Sequence, residues 1–109
     1  MYLNAYQKYM EELLDEYDSL LLIQLLKAVN NKFGAKLQGI DDYAKQMCRY
    51  GDYKMTAYGT QYILLRKGGE PDYDMIRSFD IMLSFLPQVM WHRRGRDPIS
   101  MRFFVSTLE

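Results

Sequence analysis

Residues 40–67 read IDDYAKQMCRYGDYKMTAYGTQYILLRK, and within this stretch the hydrophobic period changes from about 3.6 to 2. Ile40, Tyr43, Ala44, Met47 and Cys48 share one face of a helix predicted over 40–50. Asp41, Asp42, Lys45, Gln46 and Arg49 are left on the other face, and Gly51 ends the helix. Tyr53, Met55 and Ala57 then alternate with Lys54 and Thr56, and a second run, Gln61 to Lys67, follows Gly59-Thr60. This pattern predicts a β-hairpin over 53–67 with its tip near Tyr58 to Thr60. A helix that feeds directly into a hairpin limits what the rest of the chain can be.

Upstream, Tyr6, Tyr9, Met10, Leu13, Leu14 and Tyr17 recur at three- and four-residue spacing, which predicts a first amphipathic helix with an acidic solvent face. Asp18-Ser19 offers a break and an N-cap for a second helix over about 19–31, with Leu22, Leu25, Leu26 and Val29 inward. A single uninterrupted helix is the alternative. Asn30, Asn31 and Gly34 supply the stop, and residues 34–39 read as a connection with room for a half-turn or short strand. Downstream, Pro71-Asp72 opens a fourth helix carrying Met75, Ile76, Phe79, Met82 and Leu83. A linker containing Arg93, Arg94 and Arg96 then leads to a last strand on which Met101, Phe103 and Val105 alternate with Arg102 and Phe104.

The chain has 109 residues, which is the size of a single domain, 1–109, able to fold without metal or disulfide. The order helix, helix, helix, hairpin, helix, strand predicts an α+β fold of the winged helix-turn-helix type: three helices plus β-hairpin, extended by the fourth helix and the C-terminal strand. Leu13, Tyr17, Leu22, Leu25, Leu26, Val29, Ile40, Tyr43, Ala44, Met47, Ile63 and Leu65 are the expected core. Cys48 is the single cysteine, so no disulfide forms within the chain and a reducing, cytoplasmic setting is expected. The apolar run Leu20 to Ile23 is broken by Gln24 and Lys27 far short of a membrane span, so no membrane partner is expected.

In layout, Tyr9 to Gly34 and Asp42 to Lys67 resemble small bacterial winged-helix proteins and the winged-helix segments of mobile-element replication proteins, an uncharacterised family. That resemblance implies that the third helix enters the major groove of double-stranded DNA while the wing touches the backbone. It assigns DNA-contacting roles to Lys45, Gln46 and Arg49 on the helix and to Lys54, Arg66 and Lys67 on the hairpin, in transcription or replication control.

Charge supports a local rather than a global basic surface. Fourteen basic residues balance fourteen acidic ones, yet residues 31–68 hold seven basic against three acidic, while residues 1–30 hold two against five. Arg49 and Gln46 have the chemistry to read base edges; Lys45, Lys54, Arg66 and Lys67 suit phosphate, as do Arg93, Arg94 and Arg96 beside Trp91 and His92. Asp41 and Asp42 complement the positive end of the helix dipole and would repel a phosphate docked there.

Enzymatic signatures are not expected. The glycines fit neither the dinucleotide fingerprint nor the phosphate loop, and His92 is the single histidine. Asp72 and Asp74 fit helix-start chemistry and Asp80 lies a turn or two farther on, so the three suit structural use better than a nuclease metal site. No metal and no cofactor are predicted. Ten tyrosines are the one unusual count, and Tyr2, Tyr6 and Tyr9 gather on the first helix as a candidate protein interface for a homodimer. A protein-interaction or assembly module on the same fold is therefore the rival expectation.

Overall fold

The computed structural model describes residues 3–84 and the backbone of residues 89–94 and 101–105. Helix α1 (Ala5–Tyr17) leads into strand β1 (Ser19–Leu21), followed by α2 (Leu22–Phe33), α3 (Asp41–Tyr50), β2 (Tyr53–Tyr58), β3 (Gln61–Arg66) and α4 (Tyr73–Leu83). Two further strands, β4 (Val89–Arg94) and β5 (Met101–Val105), pair with each other. The result is an α+β domain with four helices around a three-stranded antiparallel sheet of order β1-β3-β2.

Local chemistry sets the helix limits. Asn4 and Gln7 form a reciprocal capping box at the start of α1: the Gln7 N–H donates to Asn4 Oδ1 at 2.8 Å, and the Asn4 N–H donates to Gln7 Oε1 at 3.0 Å. Asp18 follows α1 with φ 69° and ψ −50°, a rarely occupied conformation that turns the chain sharply into β1. Gly34 closes α2 in the left-handed region at φ 61°, where a side chain would be strained. At α4 the Asp72 side chain accepts from the Met75 N–H at 3.0 Å.

The sheet is covered on both faces, and this explains why Ile63, Leu64 and Leu65 are buried in succession. Residues opposed in an antiparallel pair point the same way. Leu64, opposite Leu20 and Met55, joins the main core with Met10, Leu14, Tyr17, Leu25, Val29, Ile40, Ala44 and Met47. Ile63 and Leu65 point to the other side, where they pack with Leu21 and with Ile76 of α4. Helix α4 also reaches the main core through Met75, Phe79 and Met82, with the Phe79 ring edge-on to Tyr17 at 5.1 Å.

Three buried polar side chains tie these layers together. Gln24 Nε2 donates to the Ile76 carbonyl and to Asp80 Oδ1, both at 2.7 Å, while its Oε1 accepts from the Leu21 N–H at 3.0 Å. Ser19 Oγ accepts from the Asp72 N–H at 2.9 Å, fixing the start of α4 against β1. Gln7 Nε2 donates to the Tyr43 carbonyl at 3.3 Å and to Gln46 Oε1 at 3.0 Å, joining α1 to α3. Among the described residues no buried side-chain polar atom lacks a partner.

Several boundaries differ from the sequence expectation. Residues 19–21 are a strand rather than the start of a helix, and α2 begins at Leu22. The third strand beside the hairpin thus comes from β1, because the β3 backbone needs a partner on the side away from β2. The connection between α2 and α3 contains no strand. Asn30 pins it through paired bonds, Nδ2 to the Leu37 carbonyl at 3.1 Å and the Leu37 N–H to Oδ1 at 3.0 Å. Leu22, Leu26 and Tyr43 sit half-buried at the edge of the core rather than inside it. The expected basic linker is corrected too: Arg93 and Arg94 belong to β4, in register with Arg102 and Met101 of β5. In sequence, Val89-Met90-Trp91 carries strand propensity, and the turn-forming Gly95 and Pro98 come only afterwards. Arg96 and Tyr2 lie outside the described residues.

Candidate nucleic-acid interface

Helix α3 buries Ala44 and Met47 and turns Lys45, Gln46 and Arg49 outward, as its hydrophobic period requires. Lys45 and Arg49 stand one turn apart on this exposed face, and no ion pair given among the described residues engages either. The Arg49 guanidinium lies 5.9 Å from the ring centre of Tyr50, which is 62 % exposed. Gln46 differs from its neighbours, because its carbonyl oxygen already accepts from Gln7. At the other end of α3, Asp41, Asp42 and Lys45 line an open concavity of about 470 Å³ together with Gly39, Ile40 and Tyr43.

The hairpin runs back along α3. Its tip, Thr60 to Tyr62, shares a concavity of about 330 Å³ and mixed polarity with Leu22, Ile23, Leu26 and residues 38–41 at the start of α3. Its base lies at the opposite end of α3, where the Lys67 N–H donates to the Asp52 carbonyl at 2.9 Å. The Lys67 ammonium is close enough to Cys48 to draw the thiol pKa down, although burial outweighs it and the thiol is raised above its ordinary value. Arg49 and Lys67 therefore belong to one end of the candidate surface.

The structure separates the remaining cations predicted for the wing. Lys54 is opposite Leu65 and so shares the sheet face that packs on α4. Arg66 is opposite Tyr53 on the other face, and its guanidinium lies over that ring, 5.0 Å from the ring centre. The same guanidinium pairs with Asp15 of α1, with Nε 3.1 Å from Oδ1 and Nη2 also bonded to it. The Tyr53 hydroxyl donates to Glu11 Oε2 at 2.8 Å. Burial, followed by the Glu11 hydrogen bond and charge, drives the Tyr53 phenol well above its usual ionisation range.

Asp15 and Glu11 were not among the predicted site residues. Each lies more than 40 positions from its partner in sequence, and the acidic face of α1 reads as ordinary solvated surface.

Two of the predicted interface tyrosines, Tyr6 and Tyr9, have partners within the chain. Tyr6 packs against Phe33 at 5.0 Å and Tyr43 at 6.0 Å, and Tyr9 packs against Phe33 at 5.9 Å with the Lys32 ammonium 5.7 Å from its ring centre. Burial and the neighbouring Glu12 raise the Tyr9 pKa. Among the described residues the most exposed tyrosines besides Tyr50 are Tyr62 and Tyr73, at 54 % and 45 %.

The acidic trio of the fourth helix is divided among structural tasks. Asp72 caps the helix, Asp74 pairs with Arg77, and Asp80 accepts from Gln24. Among the described residues no three His, Cys, Asp or Glu side chains are grouped to hold a metal ion, and no helix is long and apolar enough to cross a membrane. No family model, curated protein or solved structure matches the chain.

Proposed function

We propose that the chain is a winged-helix module that binds double-stranded DNA without catalysing a reaction, serving transcription or replication control. In this reading α3 enters the major groove and the β2–β3 hairpin is the wing. The element order α1, β1, α2, α3, β2, β3 and the sheet order β1-β3-β2 support the assignment. The observation that carries the functional step is the outward face of α3, where Lys45 and Arg49 stand exposed one turn apart. Arg49 is the candidate for base-edge contact, and Lys45 and Lys67 are candidates for phosphate. Gln46 can add its amide group while its carbonyl stays on Gln7.

Binding of a labelled random-sequence duplex tests this. Two phosphate contacts, from Lys45 and Lys67, imply affinity falling about 12-fold between about 50 and 200 mM salt. The double variant Lys45→Ala, Lys67→Ala should lower the slope of log affinity against log salt by about 2. Absence of binding at the lower salt, or binding indifferent to salt, would overturn the reading.

A second reading keeps the fold and makes it a protein-interaction module. The aromatic hairpin tip favours it: Tyr58 stacks on Tyr73 at 5.3 Å, and Tyr62 stands exposed beside the concavity that Leu22, Ile23 and Leu26 help to line. Tyr62→Ala discriminates between the two. It should leave salt-sensitive duplex binding intact if the tip serves a protein partner, and weaken it if the tip is a DNA-contacting wing.

A further inference from the structure

The Arg66 side chain holds one carboxylate oxygen through two N–H donors, which a phosphate oxygen can also accept. Its Nε and Nη2 both bond Asp15 Oδ1. Its guanidinium carbon lies 5.0 Å from the centre of the Tyr53 ring. Tyr53 is in turn fixed by burial and by its hydrogen bond to Glu11. Asp15 and Tyr53 thus position the guanidinium in the free protein, Tyr53 alone staying once Asp15 is displaced, while the pair itself remains about half exposed on both sides. Such a pair is weak in water, so an incoming phosphate can exchange with Asp15 at small cost. The next residue, Lys67, lies near Cys48 of α3, so Arg66 adjoins a candidate phosphate contact in the chain.

We infer that Arg66 is a phosphate contact gated by Asp15, the α1 carboxylate occupying the guanidinium until a DNA backbone replaces it. The inference rests on the DNA-binding reading and adds to it a residue pair that sets affinity. In the free protein Asp15 lowers the tendency to bind stray polyanions. In the complex it is displaced and returns to solvent on α1.

The test is duplex binding by the full chain, measured by fluorescence anisotropy across a salt series, with wild type, Asp15→Asn, Arg66→Ala, the double variant and Glu12→Gln. Glu12 is an exposed α1 carboxylate and controls for the loss of one negative charge. Asp15→Asn should bind about three- to tenfold tighter at low salt and steepen the salt slope by up to about 0.9. Both gains should vanish in the double variant. Tightening that persists without Arg66, or that Glu12→Gln matches, assigns the effect to general charge and overturns the gate. Wild-type binding with no change on Asp15→Asn overturns the gate and leaves the DNA reading standing. If no variant binds the duplex in a salt-sensitive way, both fall. Circular dichroism confirms that each variant is folded, and Arg66→Lys, which keeps the charge but not the fork of donors, should recover only part of the gain.

Discussion

At the scale of single residues, the interior is organised by side chains whose importance depends on their surroundings. Gln24 looks like a polar interruption in an apolar run, yet its amide serves β1, α4 and Asp80 at once. Gln24→Glu would place a carboxylate where two donors now face the Ile76 carbonyl and the Asp80 carboxylate. Stability should fall by about 3 kcal/mol at neutral pH and recover in part at mildly acidic pH, where the new carboxyl can donate; urea unfolding at the two pH values checks this. Tyr53 carries the opposite pH signature. Because its phenol is raised by burial and by Glu11, folding favours the protonated form. That contribution is fully present below the unfolded phenol value near 10 and is lost as pH rises beyond it toward the folded value. Tyr53→Phe should therefore cost about 1 kcal/mol at pH 7 and show a shallower alkaline loss of stability than wild type, measured by thermal unfolding from about pH 7 to 11.

At the scale of elements, period and turn chemistry made most of the structure readable. Helix α3 and the hairpin were legible because the inward set of α3 repeats at helical spacing and because Gly59-Thr60 separates two alternating runs. Gly59 adopts φ 62° at the first of the two loop positions, the sign required by a turn of type II′. No atom crowds the position a Cβ would take there, so a substitution is penalised by the backbone and not by space. Gly59→Val should lower stability by about 1–3 kcal/mol, and Gly59→Asn by less, in thermal unfolding. Strand β1 escaped notice because three residues are too few to establish a period. Leu20 and Leu21 fit a helix by propensity, and the unpaired edge of β3, more than 40 residues away, draws them into a sheet.

Across the whole molecule, the candidate site was legible as a charge pattern but not as a grouping. Seven basic residues in 31–68 already marked α3 and the hairpin as the positive part of a neutral chain, and the exposure of Lys45 and Arg49 follows from the apolar period of α3. Folding then redistributes the other cations. Lys54 goes to the α4 side of the sheet, Lys67 comes beside Cys48, and Arg66 is drawn onto Asp15. Helical and strand faces are written in spacings of two to four residues, so the outward side of α3, the hairpin turn and the apolar face of α4 could be read directly from the chain. The covering of both sheet faces, the strand taken from residues 19–21, and the pairing of Arg66 with a distant carboxylate depend on contacts between segments that carry no shared local signal. Burial and hydrogen bonding across about 40 to 50 residues select those partners, and these exist only once the layers have packed.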